Sequence, residues 1–314
     1  MRAMVTGAGG FVGPYLIEHL LANGDEVYAV TLEKTARGLP YKSEYFDIVD
    51  PEACRKAISS YKPEVIYHLA GISFVPEAEE DFKKALLVNV LGTGNIYRIS
   101  HLLEIQTKIV FVSSAEVYGK INSSDLPIKE TTPLAPANNY SLSKAMAELV
   151  AKRYSSLGNL SHVILRPFNH IGPGQDSRFV ASSFARQLAQ IKQGKIPPLL
   201  NVGNLEARRD FTDVRDIVRA YRLAALKGSG LYNLASGKSI SIRSILDLLI
   251  TVSGLKVEVR IDQSRMRASE VPELYADISK AEKELGWKPQ YEVRNTLEDL
   301  YKYWLDVEKV GSAI

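Results

Sequence analysis

Residues 3–13 constrain this chain more than any other stretch. An apolar run, Ala3-Met4-Val5, passes directly into Thr6-Gly7-Ala8-Gly9-Gly10-Phe11-Val12-Gly13, and an amphipathic helical pattern over 15–22 follows, stopped by Asn23-Gly24. A strand, a glycine-rich turn and a helix in this order present backbone N–H groups and a positive dipole end to an anion. Glycine is needed where a phosphate nears the backbone and where the helix packs on the strand. Gly7, Gly10 and Gly13 therefore read as the seat of a dinucleotide diphosphate. A steric turn is the plainer reading of the same glycines, and their place between a strand and a helix weighs against it.

The rest of the chain repeats this alternation. Short β-branched runs at 3–5, 27–30, 65–69, 109–112, 163–165 and 231–234 are apolar on successive residues, as in strands covered on both faces. Helical patterns at 52–60, 85–103, 143–157 and 214–226 separate them, so the expected fold is α/β with a doubly wound parallel sheet. Beyond residue 168 the alternation weakens, with Gly172-Pro173-Gly174 and Pro197-Pro198 as punctuation, a helix at 241–253, a strand at 257–261 and two C-terminal helical patterns. We expect a dinucleotide-binding domain from 1–168 and 211–238, and a smaller, discontinuous α/β substrate domain from 169–210 and 239–314.

Composition excludes several classes. No apolar run approaches the roughly 18–20 residues of a membrane helix, and the glycine-broken start makes a poor secretory signal. The single cysteine, Cys54, excludes an intramolecular disulfide framework and suits a reducing cytoplasm. A net charge of +3 gives no global case for nucleic-acid binding. His19, His68, His101, His162 and His170 lack metal-ligand spacing, so no metal is expected, and His68 in its apolar run reads as structural.

An acidic residue ending the second strand would hold a ribose diol and select NAD. Thr31 and Leu32 stand there instead, with Lys34 and Arg37 soon after, so NADP(H) is preferred; Glu33 keeps NAD(H) open. Asp47 and Ile48, after an expected third strand, read equally as an adenine contact or a strand-end cap. Tyr140 and Lys144, at i and i+4, share one face of one helix. A cation beside a phenol stabilises phenolate and so suits acid–base work near neutrality. Ser114, closing the strand at 109–112, suits hydrogen-bond donation to a developing oxyanion, with a helix N-cap as the plainer role. Glu116 reads evenly as a general acid–base group or a capping carboxylate.

Together Gly7-x-x-Gly10-x-x-Gly13, His68-Leu69-Ala70-Gly71, Asn89, Ser114, Tyr140-x-x-x-Lys144, Arg166-Pro167-Phe168-Asn169 and Leu285-Gly286-Trp287-Lys288-Pro289 resemble the extended short-chain dehydrogenase/reductases over essentially the whole chain. Segments 166–175, 202–216 and 265–272 resemble the enzymes of that family that act on GDP-sugars. The resemblance implies a Rossmann-type fold, with Phe11, Val12, Leu69, Ala70, Gly71 and Asn89 also at the cofactor. It implies Asn169, Val180, Asn204, Arg209, Arg267 and Glu270 at a GDP-sugar, the arginines on its diphosphate and Glu270 on its ribose. Ala268 departs from the proline usual in that motif. The implied chemistry is reduction of a 4-keto sugar. Elimination of water with Glu116 as acid–base group, 4-epimerisation, and a non-catalytic dinucleotide sensor are its rivals. The family also implies a homodimer, formed through the helices at 85–103 and 143–157.

Overall fold

The computed structural model describes residues 1–32, 38, 40–158, 160–266 and 271–310. The strands are β1 (Arg2–Thr6), β2 (Glu26–Thr31), β3 (Lys42–Tyr45), β4 (Val65–His68), β5 (Lys108–Val112), β6 (Ser161–Pro167), β7 (Asn169–Ile171), β8 (Leu199–Val202), β9 (Arg208–Asp213), β10 (Gly230–Leu234), β11 (Ser239–Ser241), β12 (Glu258–Ile261) and β13 (Glu273–Leu274). The helices are α1 (Val12–Ala22), α2 (Pro51–Tyr61), α3 (Val75–Glu80), α4 (Phe82–Ala85), α5 (Thr93–Leu102), α6 (Asn139–Ser155), α7 (Val180–Lys192), α8 (Val214–Lys227), α9 (Ile242–Ser253) and α10 (Val293–Val310).

The main sheet is seven-stranded and parallel, in the order β10-β6-β5-β4-β1-β2-β3. It is the doubly wound sheet that the apolar runs imply, because its central strands are buried on both faces. Val5, Tyr67, Val110 and Leu165 meet α1 and α8 on one side. Met4, Ile66, Phe111 and Ile164 meet α2, α5 and α6 on the other. Strand order reverses between β1 and β4, and that is where a crevice opens beyond the carboxyl ends of the strands.

The remaining strands are short. β9 pairs with β7 and β13 in parallel and with β11 antiparallel, while β8 pairs with β12. A second core, with Phe184, Leu188, Leu246, Leu249, Leu300 and Trp304, packs α7, α9 and α10 together. The run at 208–215, which also reads as a solvated helix entrance with Asp210 and Asp213 pairing its arginines, starts instead with a strand. Asp210 accepts from Ser236 N (2.6 Å), Ser236 Oγ (2.5 Å) and Gly237 N (3.0 Å), whereas Asp213 does pair with Arg215 (2.7 Å).

Two helices differ from their sequence patterns in ways that shape the site. The pattern at 85–103 is interrupted by a π-helical turn over Leu86–Gly92, which re-aims residues of that turn. The helix expected from 143 starts at Asn139, because the Asn138 side chain accepts from Ser141 N (2.8 Å), so Tyr140 lies in its first turn.

Behind α6, Arg166 donates from Nε to Glu148 Oε1 (2.8 Å) and from Nη2 to Glu148 Oε2 (2.5 Å), and Ser113 Oγ donates to Glu148 Oε1 (2.6 Å). Neither charged side chain of the pair is more than 2% exposed. Removing one partner of such a pair strands the other charge in the interior. Arg166→Met is expected to lower the unfolding free energy by about 3–5 kcal/mol in urea titrations; a loss near the about 0–1 kcal/mol of a surface pair would contradict this account.

Candidate active site

One cleft of about 1080 Å³ runs along the carboxyl ends of the main-sheet strands, large enough for two ligands end to end. Its floor at one end is the turn after β1. Gly7 has φ +71° and lies so near the loop after β4 that a Cβ would stand 2.6 Å from Ala70 N. A Cβ on Gly13 would stand 2.1 Å from the Ala8 carbonyl oxygen. α1 begins here behind Phe11, with no side-chain cap and no acidic residue in its first turn. A positive dipole end and a surface free of side-chain bulk fit a dinucleotide diphosphate.

A chain of neutral hydrogen bonds fixes this turn. Thr93 Oγ1 donates to the Asn89 carbonyl (2.6 Å), so it accepts from His68 Nε2 (3.0 Å). His68 Nδ1 then accepts from Thr6 Oγ1 (2.7 Å), beside Ala70 N. Burial and the nearby Lys144 charge push the imidazole down to about 3, so it stays neutral. His68 is structural, as its apolar strand suggests. Asn89 Oδ1 accepts from Ile72 N (2.8 Å) and Nδ2 donates to Ser143 Oγ (2.8 Å), with 1% of the residue exposed. Its amide thus ties Ile72, in the loop after β4, to α6.

Gly7, Gly10, Phe11, Val12, Gly13, Thr31, Asp47, Ile48, Leu69, Ala70 and Gly71 all border the cleft. Asp47 is exposed and its carboxylate caps Val49 N (2.9 Å), while Ile48 is buried. Thr31 is buried at the end of β2 and is followed by exposed Leu32, so no carboxylate ends that strand. Lys34, Arg37 and Glu33 lie outside the described residues.

At the middle of the cleft stand Ser114, Glu116, Tyr140 and Lys144. Ser114 Oγ accepts from Glu116 N (3.2 Å), so it is a cap as well as a wall of the cleft. Burial pushes the Tyr140 phenol up to about 12; a hydrogen bond with Ser114 opposes this and the Glu116 charge adds to it. Lys144 Nζ donates to the Val112 carbonyl (2.6 Å) and lies 5.1 Å from the Phe111 ring centre. Burial pushes that ammonium down to about 8, against the pull of Glu148. The expected lowering of the phenol by Lys144 is therefore not what this geometry gives. Desolvation governs both groups, and at neutral pH the pair is a neutral phenol and an ammonium ion.

Asn169, Val180, Asn204 and Arg209 border the far end of the cleft. Arg209 Nη1 donates to the Arg208 carbonyl (2.8 Å), and its burial disfavours the charge, with Glu116 opposing that. Arg267 and Glu270 lie outside the described residues. Sequence reasoning passed over the rim: Phe74 meets Phe179 edge-on at 5.7 Å, and the Arg178 guanidinium lies 4.5 Å from the Phe74 ring centre. These residues come from the starts of two helices far apart in sequence, Phe74 before α3 and Phe179 before α7.

A glycine turn at the strand reversal, with a serine, a buried phenol and a buried ammonium beside it, defines a nicotinamide-dinucleotide oxidoreductase site. The description "GDP-mannose 4,6 dehydratase" belongs to the family model that matches residues 4–300. The GDP-6-deoxy-D-mannose reductase of Pseudomonas aeruginosa is 34% identical over 305 residues, covering 96% of this chain and 97% of that one. Among solved structures, RMD from Pseudomonas aeruginosa complexed with NADPH superposes with a TM-score of 0.86 at 30% identity, over 98% of this chain and 100% of that one. The Thermus thermophilus UDP-glucose 4-epimerase complexed with NAD gives 0.85 at 27% identity, over 97% and 99%. The chain belongs to the GDP-mannose 4,6-dehydratase family of extended short-chain dehydrogenase/reductases, NAD(P)-dependent enzymes that act on nucleotide sugars.

The glycine turn yields a paired test. Gly13→Ala forces a Cβ against backbone and is expected to lower stability by about 1–3 kcal/mol and to weaken dinucleotide binding in fluorescence titrations. Gly9→Ala, whose Cβ would meet nothing nearer than 3.7 Å, should leave stability unchanged.

Proposed function

We infer that the enzyme reduces the 4-keto group of GDP-4-keto-6-deoxy-D-mannose to give GDP-D-rhamnose, with NADPH preferred over NADH. The observation that carries this reading is the meeting of Ser114, Tyr140 and Lys144 in the cleft beside the glycine turn, in a chain 34% identical over 305 residues to a GDP-6-deoxy-D-mannose reductase. Burial keeps the Tyr140 phenol protonated at neutral pH, so it can give a proton to the alkoxide that reduction of a ketone forms. NADPH, when bound, supplies the hydride. Ser114 donates a hydrogen bond to the carbonyl oxygen where charge develops, and Tyr140 delivers its proton to the resulting alkoxide. Lys144 carries a positive charge at the cleft wall below about pH 8, and its bond to the Val112 carbonyl fixes where that charge stands.

The absence of a carboxylate at Thr31, which leaves a 2′-phosphate unopposed, supports the NADPH preference. Asn169, Val180, Asn204 and Arg209 are assigned to the GDP-sugar. Residues 1–168 with 211–238 are assigned to the dinucleotide, and 169–210 with 239–314 to the sugar nucleotide. We place the enzyme in the cytoplasm as a homodimer. Leu142, Met146 and Leu149 lie at i, i+4 and i+7 of α6, exposed by 39%, 37% and 64%, and Leu91 and Leu102 are exposed on the π-turn and α5; this supports pairing of those helices. Among the described residues no helix is long and apolar enough to cross a membrane, and none of their side chains form a metal-holding cluster.

A second reading, GDP-mannose 4,6-dehydration, is favoured by one observation: Glu116 borders the cleft beside Tyr140, where an elimination needs a general acid–base group. The two separate cleanly. A reductase consumes NADPH with the 4-keto substrate, and product mass rises by two hydrogens. A dehydratase converts GDP-mannose with no net change in cofactor absorbance and stops at Glu116→Gln. For the reductase, Tyr140→Phe is expected to lower kcat by about 10²–10⁴-fold while leaving NADPH affinity intact. Unchanged ketone with folded wild-type enzyme would reject the reading.

The pH dependence has a definite sign. Lys144 is charged below its depressed value and neutral above it, so kcat/KM for reduction should fall as pH rises through about 8, well before Tyr140 ionises. A profile flat to pH 10 would contradict a working role for the ammonium.

A further inference from the structure

Tyr221 has no place in the machinery described so far. It sits on α8, which packs on the opposite face of the main sheet from α6. Although fully buried, it borders the cleft along with Phe11, Val12, Val112 and Pro167. Helical side chains lean toward the N-terminus of their helix. α8 begins at the cleft end, where a Cβ on Gly172 would stand 2.7 Å from Val214 Cγ1. The lean therefore carries the Tyr221 ring toward the cleft that it lines. Tyr140 is near enough to help burial hold the Tyr221 phenol in its neutral, donating form.

The Tyr221 hydroxyl has no hydrogen-bond partner and no exposure to bulk solvent. Burying a hydroxyl unpaired is unfavourable, and buried tyrosines ordinarily find an acceptor. Phenylalanine would fill the same space without that penalty. Two of the residues lining the cleft carry an orphaned side-chain atom: Gln175 Oε1 is an acceptor, and Tyr221 Oη is the donor that lacks one. The dinucleotide brings a matching group, because the ring that carries the hydride bears a carboxamide with a strong acceptor oxygen. We propose that Tyr221 positions the reactive ring by donating its hydroxyl hydrogen bond to that carboxamide. This rests on the cleft being a nicotinamide-dinucleotide seat.

Two probes separate ring contact from packing: NADPH, and 2′-phospho-ADP-ribose, which is the same ligand without the ring. Calorimetric titration of Tyr221→Phe should give an NADPH Kd raised about 3- to 10-fold, the scale of one neutral hydrogen bond, and an unchanged Kd for the ringless probe. The Tm of the variant without ligand should equal or exceed that of wild type, since the unpaired hydroxyl is gone, while the rise in Tm on adding NADPH shrinks. Both affinities unchanged would overturn the proposal and leave the hydroxyl to an ordered water. Both weakened alike would overturn it in favour of a packing role. Wild-type protein that binds neither probe would overturn the dinucleotide seat itself, and the proposal with it.

Discussion

At the junction of β1 and β4 the backbone approaches itself so closely that Gly7 has no room for a Cβ beside Ala70. Everything in the cleft is referenced to that contact. Thr6, the last residue of β1, holds His68, the last residue of β4; His68 holds Thr93, and Thr93 holds the Asn89 carbonyl. The Asn89 amide reaches Ser143, whose hydroxyl donates to the Tyr140 carbonyl at 2.7 Å. A continuous set of short, neutral hydrogen bonds thus joins the diphosphate turn to the first turn of the helix that carries the phenol. Because each link is buried and uncharged, neither salt nor a shift of pH within the working range loosens it. The separation between the dinucleotide seat and Tyr140 is set by this relay rather than by loops.

Desolvation then decides the chemistry. Two ionisable groups four residues apart on one helix face would, in water, influence each other through their charges. In this interior each responds mainly to its own burial, in opposite directions: the phenol is driven up and the ammonium down. Both shifts favour the uncharged forms, yet both values lie on the side of neutrality that leaves a proton on each group. The resting site is accordingly loaded with protons. A hydride acceptor that becomes an alkoxide finds a donor in place, whereas abstraction of a substrate proton by Tyr140 would first require the buried phenol to ionise.

Much of this was legible in the residues. The runs at 3–5, 65–69 and 109–112 announce buried parallel strands because Val and Ile cover both faces, and the spacing of Tyr140 and Lys144 announces one helical face. What escaped depends on distant partners. Arg208-Arg209-Asp210 does not look like a strand; it becomes one by pairing with two segments from elsewhere in the chain, Ser239–Ser241 and the two residues Glu273–Leu274. The π-helical turn at Leu86–Gly92 sits inside an unbroken helical pattern. It shows only in three dimensions, where Gly92 admits Ile48, whose Cδ1 would stand 2.5 Å from a Cβ there. The spacing of Tyr140 and Lys144 carried no information on their burial, so the sign of the phenol's shift was inaccessible until the walls of the cleft were in place.

The distribution of unsatisfied groups makes the same point from the side of stability. α2, α6, α8 and α9 each begin with a side-chain acceptor, from Asp50, Asn138, Asp213 and Ser241. α1 and α7, whose first turns open on the cleft, begin behind Phe11 and Phe179 with no side-chain cap and no acid in the first turn. A cap of the Ser, Asp or Asn type is worth about 0.5–2 kcal/mol, so leaving both out is a real loss for a folded chain. The same cleft holds a depressed lysine and an unpaired tyrosine hydroxyl. Two uncapped helix starts, a depressed lysine and an unpaired tyrosine hydroxyl therefore meet in one cleft, where the phosphates and amides of a ligand are the kind of partner they lack.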